Sequence, residues 1–313
     1  MSTPPHPFPH SAPTLQGDTV GSLIASGTEL LQAAGISFGH GTTNAFDEAA
    51  WLVLWRLGLP LDAPLGDDID SVQNQAVTPA GRALVATLFE ERISTRKPAA
   101  YLTREAWLQG VSFYVDERSI VPRSLIAELI VQGGFDDWLG EHTQQVLDLC
   151  TGNASLAVLS AMAWPEVHVT GADICPDALA VARINVDRHH LQQRITLVQS
   201  DGLAKLPGPW DLIICNPPYV NASSMAALPP EYRAEPVLAL AGGSDGMDFI
   251  AQLLQQAPAC MSEHAVLVLE IGNERSFFEA RFAQLPVFWL DTSAGEDQVL
   301  LITREALSGF LSS

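Results

Sequence analysis

Asp211-Leu212-Ile213-Ile214-Cys215-Asn216-Pro217-Pro218-Tyr219 is an apolar run that ends in an amide, a double proline and an aromatic ring. A short apolar segment closed by prolines predicts a buried strand. Its polar end then falls on the carboxyl edge, where open α/β sheets bind ligands. The prolines fix φ, remove two backbone donors and leave carbonyls free to accept. A planar –NH2 group would donate one hydrogen to the Asn216 side-chain oxygen and the other to the Pro217 carbonyl, with its flat face against Tyr219. That grip draws the nitrogen lone pair out of conjugation and aims it at an electrophile. Taken alone, the stretch also reads as a strand ending in a proline-rich turn.

Working outward, strand and helix signals alternate from Gln144 to the C-terminus. Apolar strands are predicted at Val146–Cys150, Val167–Ala172, Ile195–Gln199, Asp211–Cys215, Ala265–Ile271, Val287–Leu290 and Val299–Thr303. Helices are predicted at Leu156–Ala163, Pro176–Arg188, Met247–Cys260 and Glu274–Phe282. This order implies a mostly parallel sheet with helices on both faces.

The strand ends carry polar residues in sequence. The first leads into Leu147-Asp148-Leu149-Cys150-Thr151-Gly152-Asn153-Ala154-Ser155, a glycine turn that lets a ligand approach the backbone and a helix N-terminus. The second ends at Asp173, placed to take both hydroxyls of a ribose, and the third at Ser200-Asp201, where a carboxylate accepts an adenine amino hydrogen. The fourth is Asn216-Pro217-Pro218-Tyr219. Either acid alone reads more simply as a helix cap. Four polar strand ends in order do not.

Upstream, residues 14–98 read as a small helical domain. Leu23, Leu30, Leu31 and Ala34 share one face of a first helix, Phe46–Leu57 forms a second, and Thr78-Pro79 opens a third. Residues 99–123 read as a linker containing a β-hairpin, with Gly110 splitting the alternating stretch Glu105–Val115. A helix follows from Ser124 to Gln132, inside a domain spanning 124–313. Residues 1–13, rich in Pro, His and Ser, read as a disordered tail in which His6 and His10 are solvated.

Charge bears on partners rather than on fold. With 36 acidic against 16 basic residues the net charge is −20. That argues against naked nucleic acid, whose binding depends on Lys and Arg, and for a basic protein partner. No apolar run is long enough to span a bilayer and no secretory signal is visible. Cys150, Cys175, Cys215 and Cys260 lack CxxC spacing, so reduced thiols and a cytoplasmic location are expected. No histidine sits at metal-ligand spacing, and no metal is expected.

The chain resembles the class I (Rossmann-like) S-adenosyl-L-methionine-dependent methyltransferases. Among them it looks like the N5-glutamine methyltransferases of the PrmB/HemK family, closest to the subgroup acting on large-subunit ribosomal protein three. The resemblance runs from about Arg96 to the C-terminus through Ala99–Thr103, Phe113–Arg118, Val121-Pro122-Arg123-Ser124, Asn216–Val220 and Leu228–Pro236. It implies an α/β fold whose seven-stranded sheet is preceded by the small N-terminal helical domain, which would recognise the substrate. It also implies methyl transfer from S-adenosyl-L-methionine to the side-chain amide nitrogen of a glutamine in a basic ribosomal protein. Carried over by position, Asp148, Thr151 and Gly152 line the methionine end of the cofactor, Asp173 holds the ribose, and Asp201 sits near the adenine. Asn216 and Pro217 orient the amide under Tyr219, beside Pro218; Pro122 and Arg123 help close the pocket, and Glu235 belongs to a substrate-side loop.

One departure stands out. The family pattern Thr-Gly-Ser-Gly-Cys is here Thr151-Gly152-Asn153-Ala154-Ser155. Alanine adds a methyl and is expected to tolerate only ordinary dihedrals, so the change is slight if Ala154 lies in the first helical turn and otherwise weakens cofactor affinity, a loss that a left-handed Asn153 would partly offset. The change is read as a tolerated variant. A release-factor glutamine methyltransferase, a DNA adenine amino-methyltransferase and an inactive cofactor-binding assembly protein are the competing readings. The tetrapeptide alone does not separate a glutamine amide from an adenine amine.

Overall fold

A computed structural model describes residues 14–66 and 71–312, so the tail expected over residues 1–13 lies outside the described residues. The chain divides into two units, one ending at Thr103 and the other beginning at Arg104.

The first unit is helical because its apolar residues recur at helical spacing between good caps. Helix Val20–Ala33 starts at Thr19, whose side chain forms a capping box with Ser22. Helix Ala45–Leu57 is capped by Asn44 and ends at Gly58, whose φ of 68° stops it. Thr78 caps helix Pro79–Thr95, with proline in its first turn. Leu23, Leu31, Leu52, Val85 and Phe89 fill the space between these helices. Inside that core Arg92 meets Glu48 at 2.7 Å. Residues 99–103, assigned to the hairpin linker from sequence, form a short helix grouped with this unit. Tyr101 N–H bonds to the Pro98 carbonyl and Thr103 Oγ1 to that of Ala99, which closes the turn locally.

The second unit opens with the expected hairpin. Strands β1 (Ala106–Leu108) and β2 (Val111–Phe113) pair antiparallel. Gln109 and Gly110 both take positive φ, as a two-residue hairpin turn requires. Next come helix Ile126–Gln132 and strands β3 (Gln145–Leu149), β4 (His168–Asp173), β5 (Ile195–Gln199) and β6 (Trp210–Cys215). The sheet is completed by β7 (Met261–Glu270), β8 (Phe288–Thr292) and β9 (Gly295–Thr303). These seven strands lie in the order β5-β4-β3-β6-β7-β9-β8. Strands β3 to β7 run parallel, whereas β9 is antiparallel to both of its neighbours. The β8–β9 link is a tight turn, so β9 has to reverse and slots between β7 and β8.

Alternation along the central strands buries both sheet faces. Val146, Ile214 and Val268 point to one side, under helices Ser155–Ala163 and Pro176–Arg188. Leu147, Ile213 and Leu267 point to the other, under helix Asp248–Gln256. A helix that the sequence reading missed, Arg304–Leu311, also covers the second face through Leu307. The strand order reverses between β3 and β6, so the carboxyl ends of β3, β4, β5 and β6 share one edge beside a switch point. Among the described residues, no helix is long and apolar enough to cross a membrane.

Candidate functional site

A cavity of about 470 Å³ opens on that edge, within the size range of small-molecule sites. Thr151, Gly152, Asp173, Asp201, Asn216, Pro217, Pro218, Tyr219, Pro122 and Arg123 all line it. Two of the residues singled out from sequence, Asp148 and Glu235, are absent from its wall. Both are buried and act through neighbours.

Asp148 sits on β3 and its Oδ2 accepts from Thr151 Oγ1 at 2.5 Å and from Ala157 N at 2.9 Å. It therefore pins the turn to the first turn of the next helix. Its Oδ1 is buried without a hydrogen-bond partner. Burial pushes the carboxyl up to about 7, against the bonds from Thr151 and Ala157. The folded state thus holds this proton more tightly than the unfolded chain does. The associated stability is complete below the ordinary value of 3.8 and is lost as pH rises through about 7. Asp148→Asn keeps an acceptor for Thr151 and Ala157, and it should flatten this part of the pH dependence. Urea midpoints measured between those limits provide the check, and an unchanged slope would contradict it.

Asp173 lies opposite, at the end of β4. It accepts from Gly152 N and Cys175 N, both at 2.9 Å, and so joins the glycine turn to the next loop. Burial raises its pKa, while the bonds from Cys175 and Gly152 pull the other way. The turn itself needs positive φ at Cys150, Gly152 and Ala154. Ala154, rather than Asn153, takes the left-handed conformation, at φ 65°, and it caps the helix instead of entering its first turn. That corrects the expectation drawn from sequence: the reversal from strand to helix fixes this dihedral whatever side chain occupies the position. The left-handed conformation costs about 1–2 kcal/mol for a non-glycine residue. Burial of the Ala154 methyl in the core offsets part of that. Asn153 keeps its Nδ2 buried without a partner in the cavity wall. Its carbonyl accepts from Asn185, which also brackets Tyr114, so one buried amide ties the turn to the segment that leaves the hairpin.

The other wall comes from two loops. Arg123 forks onto Glu235 with two bonds of 2.7 Å, and Glu235 also accepts from Val121 N at 3.0 Å. The guanidinium lies 5.4 Å from the centre of the Tyr232 ring. Glu235 thus fastens the 228–240 segment to the one carrying Pro122 instead of facing the cavity. Arg118, also in the wall, is held by Asp116 through paired bonds of 2.8 and 2.6 Å. Although burial opposes ionisation, Arg118 and Tyr114 bring the Asp116 carboxyl down to about 2. Asn216 makes no hydrogen bond through its side chain among the described residues, and it stands beside Pro217 and Tyr219 on the cavity wall. The Tyr219 hydroxyl reaches Glu270 Oε1 at 3.3 Å. Sequence reading passed over Glu270, although an acid closing an apolar strand beside the Asn216 strand was a usable signal.

Residues 134–228 match the methyltransferase small domain family. A ribosomal protein uL3 glutamine methyltransferase of Bordetella pertussis is 49% identical over 93% of this chain and 96% of its own length. The chain belongs to the ribosomal protein uL3 glutamine methyltransferase family. Members from Burkholderia pseudomallei (45% identical, covering 98% of both chains) and Neisseria meningitidis serogroup A (43%, covering 93% of this chain and 95% of that one) span equally large portions. The fold is the class I methyltransferase sheet. Among solved structures, the hMettl16 catalytic domain superposes with a TM-score of 0.49 at 12% identity, over 75% of this chain and 84% of that one. This likeness is too loose to add to the family assignment.

Proposed function

We propose that this methyltransferase moves a methyl group from S-adenosyl-L-methionine to the side-chain amide nitrogen of a glutamine in ribosomal protein uL3. The observation that carries the reading is the Asn216 amide, without a hydrogen bond among the described residues and set beside Pro217 and Tyr219 on a cavity also lined by Thr151, Gly152, Asp173 and Asp201. The shared uL3 name of the relatives favours this target over a release factor.

The wall suits a nucleoside carrying an amino-acid tail. Gly152 has φ 55°, a backbone conformation that glycine adopts without strain, and its lack of a side chain lets a ligand approach the turn. Asn153 Nδ2 is buried with nothing yet to bond. Asp173 and the exposed Asp201 supply acceptors suited to ribose hydroxyls and an adenine amine. When bound, the cofactor supplies an electrophilic methyl on a positive sulfur. The protein's share is alignment and charge. Holding the reacting atoms in line contributes of order 7–11 kcal/mol in favourable cases. Asn216 and the Pro217 carbonyl accept from the amide –NH2, and both bonds strengthen as that nitrogen gains positive charge, so they favour the transition state. The proton released afterwards passes to water or a carbonyl, which dispenses with a dedicated base. A basic ribosomal protein also suits the net charge of −20, and a cytoplasmic location fits such a target.

The test is incubation of the full chain with S-adenosyl-L-methionine and purified uL3, followed by peptide mass spectrometry. A gain of one methyl on a glutamine is expected. Absence of methylation, or a methyl on another residue type, would overturn the reading.

A further inference from the structure

We propose that Glu270 is the positioning residue of the reaction pocket, fixing the Tyr219 ring and the Pro122–Leu125 segment against each other. The inference rests on the glutamine-transfer reading above.

Strands β6 and β7 are parallel neighbours with Cys215 opposite Leu269, which sets Asn216 level with Glu270 at the same sheet edge. Glu270 is only 4% exposed, yet its two oxygens serve different segments. Oε1 accepts from the Tyr219 hydroxyl at 3.3 Å, while Oε2 accepts from Ser124 Oγ at 2.5 Å and Leu125 N at 2.9 Å. The base of the ring is constrained as well. Gly272 has φ 53°, and a Cβ there would fall 2.5 Å from Tyr219 Cε2, so the ring rests on bare backbone. Burial pushes the Glu270 carboxyl up, and the bonds from Ser124, Leu125 and Tyr219 counter it. Such a carboxylate is costly to bury unless its acceptor capacity is used, and here it is divided between two loops that sequence leaves unconnected. The arrangement leaves Tyr219 to contribute its ring face, with orientation supplied from β7. Arg123 immediately precedes the two anchored residues, so the same carboxylate also seats the base of the Arg123–Glu235 fork.

Glu270→Gln discriminates positioning from mere structure. A carboxamide has one acceptor oxygen, so keeping Ser124 and Leu125 turns its Nε2 toward Tyr219, and the hydroxyl loses the acceptor that aims the ring. With the full-length enzyme, S-adenosyl-L-methionine and uL3, kcat is expected to fall about tenfold, with KM for both substrates and the melting temperature nearly unchanged. Tyr219→Phe should cost about the same factor, and the double variant no more than either single one, because both remove one linkage. Overturning results are parental kcat in Glu270→Gln, multiplying losses in the double variant, or a loss confined to KM and melting temperature. If Glu270→Gln fails to fold, Tyr219→Phe decides alone, and parental turnover in it refutes the linkage. A parental enzyme that leaves uL3 unmethylated removes the glutamine reading itself, an outcome separate from any of these.

Discussion

Asn216→Ala is expected to lower kcat for uL3 methylation by about 10² or more while leaving the affinity for S-adenosyl-L-methionine nearly intact. The asparagine terminates β6, whose backbone pairs on both sides with β3 and β7, so its Cα is held by a buried sheet and truncation should not disturb the fold. Its side-chain amide is unspent on internal hydrogen bonds among the described residues. Alanine therefore takes nothing from the protein's own network. In the proposed reaction, what it removes is an acceptor aimed at a nitrogen that becomes positive only as the methyl arrives. Loss of such an interaction appears in kcat rather than in ground-state binding. Calorimetry with the cofactor and steady-state kinetics with uL3 separate the two. Turnover near the parental value would remove Asn216 from the mechanism.

Glu48→Ala is expected to destabilise the N-terminal helical unit by about 3–5 kcal/mol. Arg92 is fully buried, and Glu48, 2% exposed, meets its Nε at 2.7 Å. The second Glu48 oxygen takes a 3.3 Å bond from Thr42. Alanine strips the buried guanidinium of the carboxylate that meets its Nε. Replacing both partners together, as Glu48→Leu with Arg92→Met, should recover most of the loss, because no stranded charge remains. Urea unfolding followed by far-ultraviolet circular dichroism measures both. A single-variant loss under about 1 kcal/mol would mean that the pair does not behave as a closed ion pair.

These two residues differ in how far the chain itself announced them. Asn216 was legible because a short apolar run followed by two prolines fixes where a strand stops, and four strand ends in βα alternation have to share one edge. The same local logic located the hairpin at Gly110 and the three long helices of the first unit. Glu48 and Arg92 were silent. A charged residue on a helix reads as solvent-facing unless its partner is known, and that partner lies on another helix. Ala154 shows the reverse case, where a local rule gave the wrong dihedral because the loop's closure between β3 and the next helix overrides the side chain's preference. Asp148 and Glu235 belong with it: sequence placed them near the cavity, and packing turned their carboxylates toward backbone and arginine partners instead.

By itself, then, the sequence determined the alternation of elements, the sheet edge on which the cavity opens and the polar tip of each strand, since all of these follow from periodicity and backbone chemistry within a few residues. The tertiary structure alone decided which carboxylates face the cavity and which brace it: Glu270 under Tyr219, Glu235 on Arg123, Asp148 beneath the glycine turn. A buried charge takes its role from donors brought up by distant segments, and a linear pattern does not contain those distances.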